Sequence, residues 1–312
     1  MRTLLVTGAS GFIGGHVVRA ALSRPGVRLR LMRRARSVPG TGGRIDTAHA
    51  DLTDPGSLTD VCEGVDAVLH CASRVTGDGG QLRAVNDLGT RALVDDALRH
   101  GVDRIVYMST AAVYGHGPFR DADAGDLPVR PSSDTSRTRA AAERHVLGAG
   151  GTVLRPHLVY GAGDQWVIPG LARLLRFLGA GVDCSSVHSA VEVGALADTM
   201  VRIAVRDDGG GLPGVVHVNH PEPMPVSALI AAVLERLDLP PREPLPLAGA
   251  RARVSGVPRA LHDLEMLASD HWFASDRVWQ AVGRSPGPAP LQGLAGHMPW
   301  YEALLRTDAA PA

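Results

Sequence analysis

Lysine is absent. The chain has 312 residues and 32 basic side chains, every one of them arginine. Aromatic residues are scarce, four each of Phe, Trp and Tyr, so a core must be built mainly from Val, Leu and Ala. Basic and acidic residues balance at 32 each, which argues against a general nucleic-acid binder or an anionic membrane surface as partner. No apolar run approaches a membrane span, and the opening MRTLLVTGAS is too short an apolar stretch for a signal peptide. Cysteine occurs only at Cys62, Cys71 and Cys184, an odd number without metal-ligand spacing that fits free thiols in a reducing cytosol. The histidines lack metal-ligand spacing too, so no metal is expected. These absences predict a soluble, cytoplasmic protein, and leave its oligomeric state open.

What is present is a rhythm. TLLVTG (3–8) is a short apolar run, as in a strand buried on both faces. From Phe12 the apolar spacing turns helical until Pro25-Gly26. Further strands are predicted at 27–32, 46–50, 66–72, 104–109 and 152–156, with helices near 81–100 and 134–148. This alternation implies α/β architecture with a doubly wound parallel sheet. After Tyr160 the rhythm weakens. Helices are expected at 168–178 and 226–237, an irregular crossing at 239–250, a connection at 207–214 and a frayed end after Arg306. The strand-like GVVHVNH (214–220) stands isolated between helices. The division expected is residues 1–163 as the sheet domain, joined by segments near 190–220, and residues 164–312 mainly as a smaller lobe over the sheet's carboxyl edge.

The strongest local motif is TGASGFIG, which places Gly8, Gly11 and Gly14 between a strand and a helix. Gly8 permits a tight turn, Gly11 lets backbone approach a pyrophosphate, and Gly14 lets helix and strand pack closely. The helix start, with Ser10, Phe12 and Ile13, offers free N–H donors to phosphate. DLTD (51–54), CAS (71–73), VNDLGT (85–90), MSTAAVYG (108–115) and LRPHLVYGAG (154–163) follow in order. Together these motifs resemble the extended short-chain dehydrogenase/reductase family over residues 3 to 163, and HSAVEVGALADTM (188–200) resembles a later family segment. The resemblance implies a Rossmann-type fold and a nicotinamide dinucleotide. It places Asp51 and Leu52 at the adenine, Ala72 and Ser73 over the cofactor, and Asn86 as an organiser of the site. Pro156, His157 and Leu158 would line the nicotinamide.

Charge selects the cofactor. NAD enzymes usually end the second strand with a carboxylate for the ribose 2′-hydroxyl, whereas here that strand runs into Arg33 and Arg34. A guanidinium grips phosphate through paired hydrogen bonds, so NADPH is expected.

By the same resemblance, Thr110 holds a substrate carbonyl. A proton-donating tyrosine should follow 25 residues later, with a ribose-binding lysine four beyond that. Those two places hold Thr135 and Arg139. Threonine is far shorter and less acidic than tyrosine. Arginine can still donate to a ribose but stays protonated. General acid catalysis contributes about 10²–10⁴-fold, or roughly 3–5 kcal/mol, while orienting two reactants supplies about 7–11 kcal/mol. A reductase can therefore survive the loss if its substrate brings a proton, as a hydroxyaryl ketone does. Atypical family members without the pair include ketoreductases of aromatic polyketides, so the resemblance implies an NADPH-dependent reductase of a polycyclic aromatic ketone. An inactive NADPH-binding redox sensor is the alternative from another class. A nucleotide-sugar epimerase or dehydratase fits less well, since that chemistry uses the tyrosine as base.

Overall fold

The structure is a computed structural model that describes residues 1–34, 43–206, 212 and 214–307. The expected connection 207–214 and the end beyond Thr307 therefore lie largely outside the described residues.

Seven parallel strands form the main sheet. From one edge to the other they are Gly214–His217, Thr152–Arg155, Ile105–Met108, Ala67–His70, Arg2–Thr7, Val27–Arg33 and Ile45–His49. The chain starts at Arg2–Thr7, winds outward to Ile45–His49, then returns to pair Ala67–His70 on the other side of the first strand. That reversal opens a crevice at the carboxyl ends of the strands, where doubly wound sheets bind ligands. Sequence explains which strands are central. Ala67–His70, Ile105–Met108 and Thr152–Arg155 are buried at every position, whereas edge strand Ile45–His49 has no buried residue. The fold is therefore a Rossmann-type α/β structure.

Helices cover both faces. Phe12–Leu22 packs beside Val193–Ala204 in one apolar layer. Gly89–Arg99 and Asp134–Gly148 contribute Leu93, Val94, Ala142 and Val146 to the opposite layer. The isolated run at 214–220 supplies the edge strand, which pairs in parallel with Thr152–Arg155. Ala190–Glu192 likewise pairs with Leu158–Tyr160. A separate core gathers Val167–Leu178, Val226–Leu234, Leu247–Val254, Pro258–Ala268 and Pro290–Thr307. Among the described residues no helix is long and apolar enough to cross a membrane.

Two local expectations need correction, and one strand pair had no expectation at all. The helix expected at 81–100 is interrupted by a π-helical turn over Arg83–Leu88, a feature that hydrophobic spacing does not signal. The expected irregular crossing at 239–250 ends in helix, because Leu247–Val254 buries Ala250 and Val254 against the smaller core. Phe119–Ala122 and His271–Phe273 pair as strands far apart in sequence, and neither is long enough to show alternation.

Gly89 sets the spacing between its helix and the loop after Ala50. A Cβ there would lie 2.5 Å from the Leu52 carbonyl oxygen and 2.6 Å from Leu52 Cβ. Gly89→Ala should lower stability by about 1–3 kcal/mol, the range for overpacking. Urea denaturation measures this, and an unchanged midpoint would contradict the packing.

Candidate active site

Three backbone contacts build the glycine cradle. Gly8 has φ 68°, and a Cβ there would lie 2.7 Å from the Ala72 nitrogen. A Cβ on Gly14 would lie 2.0 Å from the Gly8 carbonyl oxygen. The Gly11 N–H donates to that same oxygen at 2.9 Å. Gly11 is the N-cap of Phe12–Leu22, and no side chain caps this helix start. Its first N–H groups and positive dipole end are thus free to receive an anion. The Phe12 ring packs near Gly163, where a Cβ would meet Phe12 Cδ2 at 3.1 Å.

A cavity of about 530 Å³ opens beside the cradle. Its lining brings together Gly8, Ser10, Gly11, Arg33, Arg34, Asp51, Leu52, Ala72 and Ser73. Ala9, Met32, Ala50, Cys71, Arg74 and Val85 complete it. Arg33 and Arg34 are exposed at the end of their strand. Asp51 accepts from the Thr53 N–H at 2.9 Å and hydroxyl at 2.8 Å. These bonds, aided by the Arg34 charge, hold its carboxyl below the usual carboxylate range despite partial burial. The residues fit a nicotinamide dinucleotide: a cradle whose Gly8 and Gly14 leave no room for a side chain, and an uncapped helix start for its pyrophosphate.

Two polar networks fix the cavity wall. The Ala72 N–H donates to Thr7 Oγ1 at 3.1 Å, and that hydroxyl meets His70 Nδ1 at 2.6 Å. His70 Nε2 reaches Thr90 Oγ1 at 2.9 Å. Burial pushes His70 down to about 3, with the Arg139 charge adding to the shift. Asn86 lies within the π-helical turn. Its Oδ1 accepts from the Arg74 N–H at 2.7 Å and the Ser73 hydroxyl at 3.2 Å. Its Nδ2 donates to the Arg74 carbonyl at 2.9 Å and Thr138 Oγ1 at 3.0 Å. All four of its hydrogen-bonding positions are used.

The chemical corner lies at the ends of Ile105–Met108 and Thr152–Arg155. The Ser109 N–H donates to the Leu154 carbonyl and the Ala111 N–H to the Pro156 carbonyl, both at 2.8 Å. Thr110 Oγ1 accepts from the Ala112 N–H at 3.2 Å, which leaves its own proton available. Thr135, in the first turn of Asp134–Gly148, donates its hydroxyl to the Val75 carbonyl at 3.2 Å. Arg139 Nη2 donates to the Met108 carbonyl at 2.6 Å. Beneath them Arg155 forms a two-pronged pair with Glu143, Nε–Oε1 2.9 Å and Nη2–Oε2 2.5 Å. Ser109 donates to the same carboxylate. Both charged residues are buried, 2% exposed for Glu143 and 3% for Arg155. The guanidinium also lies 4.7 Å from the centre of the Tyr114 ring.

A second cavity, of about 190 Å³ and mainly apolar, is lined by His157 and Leu158 together with Trp166, Leu171, Leu174, Met266 and Leu267. Arg259 and Asp263 also border it, and they pair with each other at 3.0 Å. Pro156 is buried immediately before His157. Motif reading did not foresee His188, which lines this cavity and accompanies His157. Its only sequence signal was a histidine within the family-like segment 188–200.

Residues 4–180, more than half the chain, match the NAD dependent epimerase/dehydratase family. Sterol demethylase protein B of Methylococcus capsulatus is 36% identical over 174 residues, covering 52% of this chain and 53% of that relative. The chain thus spans about half the length of that protein. The 4-hydroxy-2-methyl-3-oxo-4-farnesyl-3,4-dihydroquinoline-1-oxide ketoreductase of Stigmatella aurantiaca is 27% identical over 329 residues, covering 99% of this chain and 90% of that one. Among solved structures, the Bordetella bronchiseptica enzyme WbmH, in complex with NAD+, superposes with a TM-score of 0.75 at 22% identity. That match covers 97% of this chain and 99% of the other.

Two outcomes follow from the geometry. Arg155→Met strands the buried Glu143 charge and should cost about 3–5 kcal/mol, whereas adding Glu143→Leu should recover most of the loss. A denaturation cycle over the four variants checks this, and additive losses would contradict it. Burial also lowers the titration of His70, His157, His188, His217 and His271. Each binds its proton less readily folded than unfolded, so stability is flat above about pH 6.5 and falls as pH drops toward 4. Urea midpoints at neutral and acidic pH measure the slope, and a midpoint unchanged across that window would contradict the burial.

Glycine cradle, sheet order and family match agree: the chain is a member of the NAD dependent epimerase/dehydratase family.

Proposed function

We propose that the protein is an NADPH-dependent ketoreductase that reduces a carbonyl of a polycyclic aromatic polyketide, of the angucyclinone kind, and that it works in the cytoplasm in antibiotic biosynthesis. One observation carries the reading. The Thr135 hydroxyl is spent on the Val75 carbonyl, and one arm of the Arg139 guanidinium, Nη2, on the Met108 carbonyl, while the dinucleotide cradle is intact. An apparatus for holding a cofactor persists without the usual apparatus for giving a proton.

When bound, NADPH supplies a hydride to the substrate carbonyl carbon. Gly8, Ser10, Gly11, Gly14 and the amides of Phe12 and Ile13 hold its pyrophosphate. Arg33 and Arg34 pair with the 2′-phosphate, and Asp51 and Leu52 flank the adenine. Ala72, Ser73 and Asn86 shape the wall over the cofactor, and Pro156 to Leu158 that of the nicotinamide. Arg139 is within the same corner and contributes a ribose contact. Thr110 donates its free hydroxyl proton to the carbonyl oxygen as a hydrogen bond. The full proton comes from the substrate, where an ortho or peri phenol already bonded to the carbonyl protonates the forming alkoxide. The apolar wall from Leu158 to Leu267 suits fused rings. The fused-ring ketone named for the Stigmatella aurantiaca relative supports this substrate class.

The Arg33→Ala, Arg34→Ala double variant should weaken NADPH binding at least about tenfold and leave NADH binding unchanged, because each lost charge-assisted contact contributes about 1.5–3 kcal/mol. Fluorescence titration reads both constants, and equal loss for the two cofactors would overturn the NADPH assignment. Thr135→Val should lower turnover of a hydroxyaryl ketone by less than about tenfold, where losing a true general acid costs about 10²–10⁴-fold. A loss of two decades would make Thr135 the acid.

A further inference from the structure

Three histidines from distant parts of the chain meet beside the apolar cavity. His188 and His271 are register partners of two paired parallel strands, so their side chains share one sheet face. His157 joins them from the turn after Thr152–Arg155. Ring centres lie 5.1 Å apart for His157 and His188, 5.4 Å for His157 and His271, and 5.3 Å for His188 and His271. One nitrogen of each ring lies within 4.8 Å of those of the other two.

The hydrogen bond of His271 leaves a ring lone pair inside the protein. His271 Nδ1 donates to the Ser269 carbonyl at 2.9 Å, which makes Nε2 the unprotonated nitrogen. That Nε2 is buried and has no hydrogen-bond partner, and the same holds for His188 Nε2. The two residues are 2% and 1% exposed. His157 Nε2 and His188 Nδ1 share a single proton at 2.9 Å. Neutral imidazole is the form that ligates metals. The Ser269 carbonyl on His271 is also the kind of outer partner that orients a ligating imidazole.

We propose that His157, His188 and His271 bind one divalent ion of the zinc or cobalt class, with a coordination position open toward the cavity that His157 and His188 line. Imidazole donors suit this class, and three nitrogens with one open position is a known arrangement for it. Metal–nitrogen bonds of about 2.0–2.1 Å require modest side-chain rotations to draw the three nitrogens together. The proton shared by His157 and His188 passes to a ring nitrogen that does not ligate. This site does not depend on the proposed ketoreductase activity.

The test is a Co2+ titration of the full-length protein after chelator treatment, followed by visible absorption. Saturation of a d–d band at one equivalent is expected, with the band abolished by competing Zn2+. Excess Zn2+ should raise Tm by about 3 °C or more. His188→Gln and His271→Gln should each abolish the band. His100→Gln, in the separate cluster with exposed Asp60 and buried Asp96, should retain it. The wild-type titration decides even where a variant does not fold, because no protein-dependent band there overturns the site. A band that survives in a folded His188→Gln or His271→Gln protein, or one lost with His100→Gln, also overturns it.

Discussion

The buried Glu143–Arg155 pair holds the chemical corner in place. Glu143 belongs to the helix that carries Thr135 and Arg139, and Arg155 ends the strand that leads into Pro156 and His157. Ser109, one residue before Thr110, donates to the same carboxylate. Three elements, the helix, the strand and the turn at Ser109, are therefore tied to one charged group. A buried pair of this kind contributes little net stability against an apolar replacement, but removing one partner is costly. Its role here is to fix geometry, and the amide bonds from Ser109 and Ala111 to Leu154 and Pro156 reinforce it.

Within that frame, the helix Asp134–Gly148 carries Thr135 and Arg139 on its first two turns. Ser133 and Ser136 form a reciprocal capping box, so the helix start is well defined without a tyrosine to stabilise it. Thr135 and Arg139 both satisfy backbone carbonyls. In the proposed reduction, orientation accounts for more of a typical barrier than proton donation does.

Much of this was legible in sequence because the signals are local. Gly8, Gly11 and Gly14 lie within seven residues, and the clashes a Cβ would make at Gly8 and Gly14 explain why glycine is needed there. Burial at every position in the central strands appears as short, mostly apolar runs such as IVYM (105–108), so the sheet could be placed. The π-helical turn around Asn86 could not be read, since one added residue per turn leaves composition unchanged. The Glu143–Arg155 pair was invisible because only the packing of helix on strand brings those charges together. The histidine cluster escaped for a related reason. Residues 157, 188 and 271 have no ligand spacing along the chain, and two of them become neighbours only through strand pairing.

The central claim is that the reduced ketone supplies its own proton. Single-turnover hydride transfer by the wild-type protein at saturating NADPH, compared between a peri-hydroxy ketone and its O-methyl ether, tests it most directly. The account predicts that methylation slows the chemical step by about two decades or more, the size of a lost general acid. Equal rates for the two ketones would contradict it and locate the proton donor in the protein.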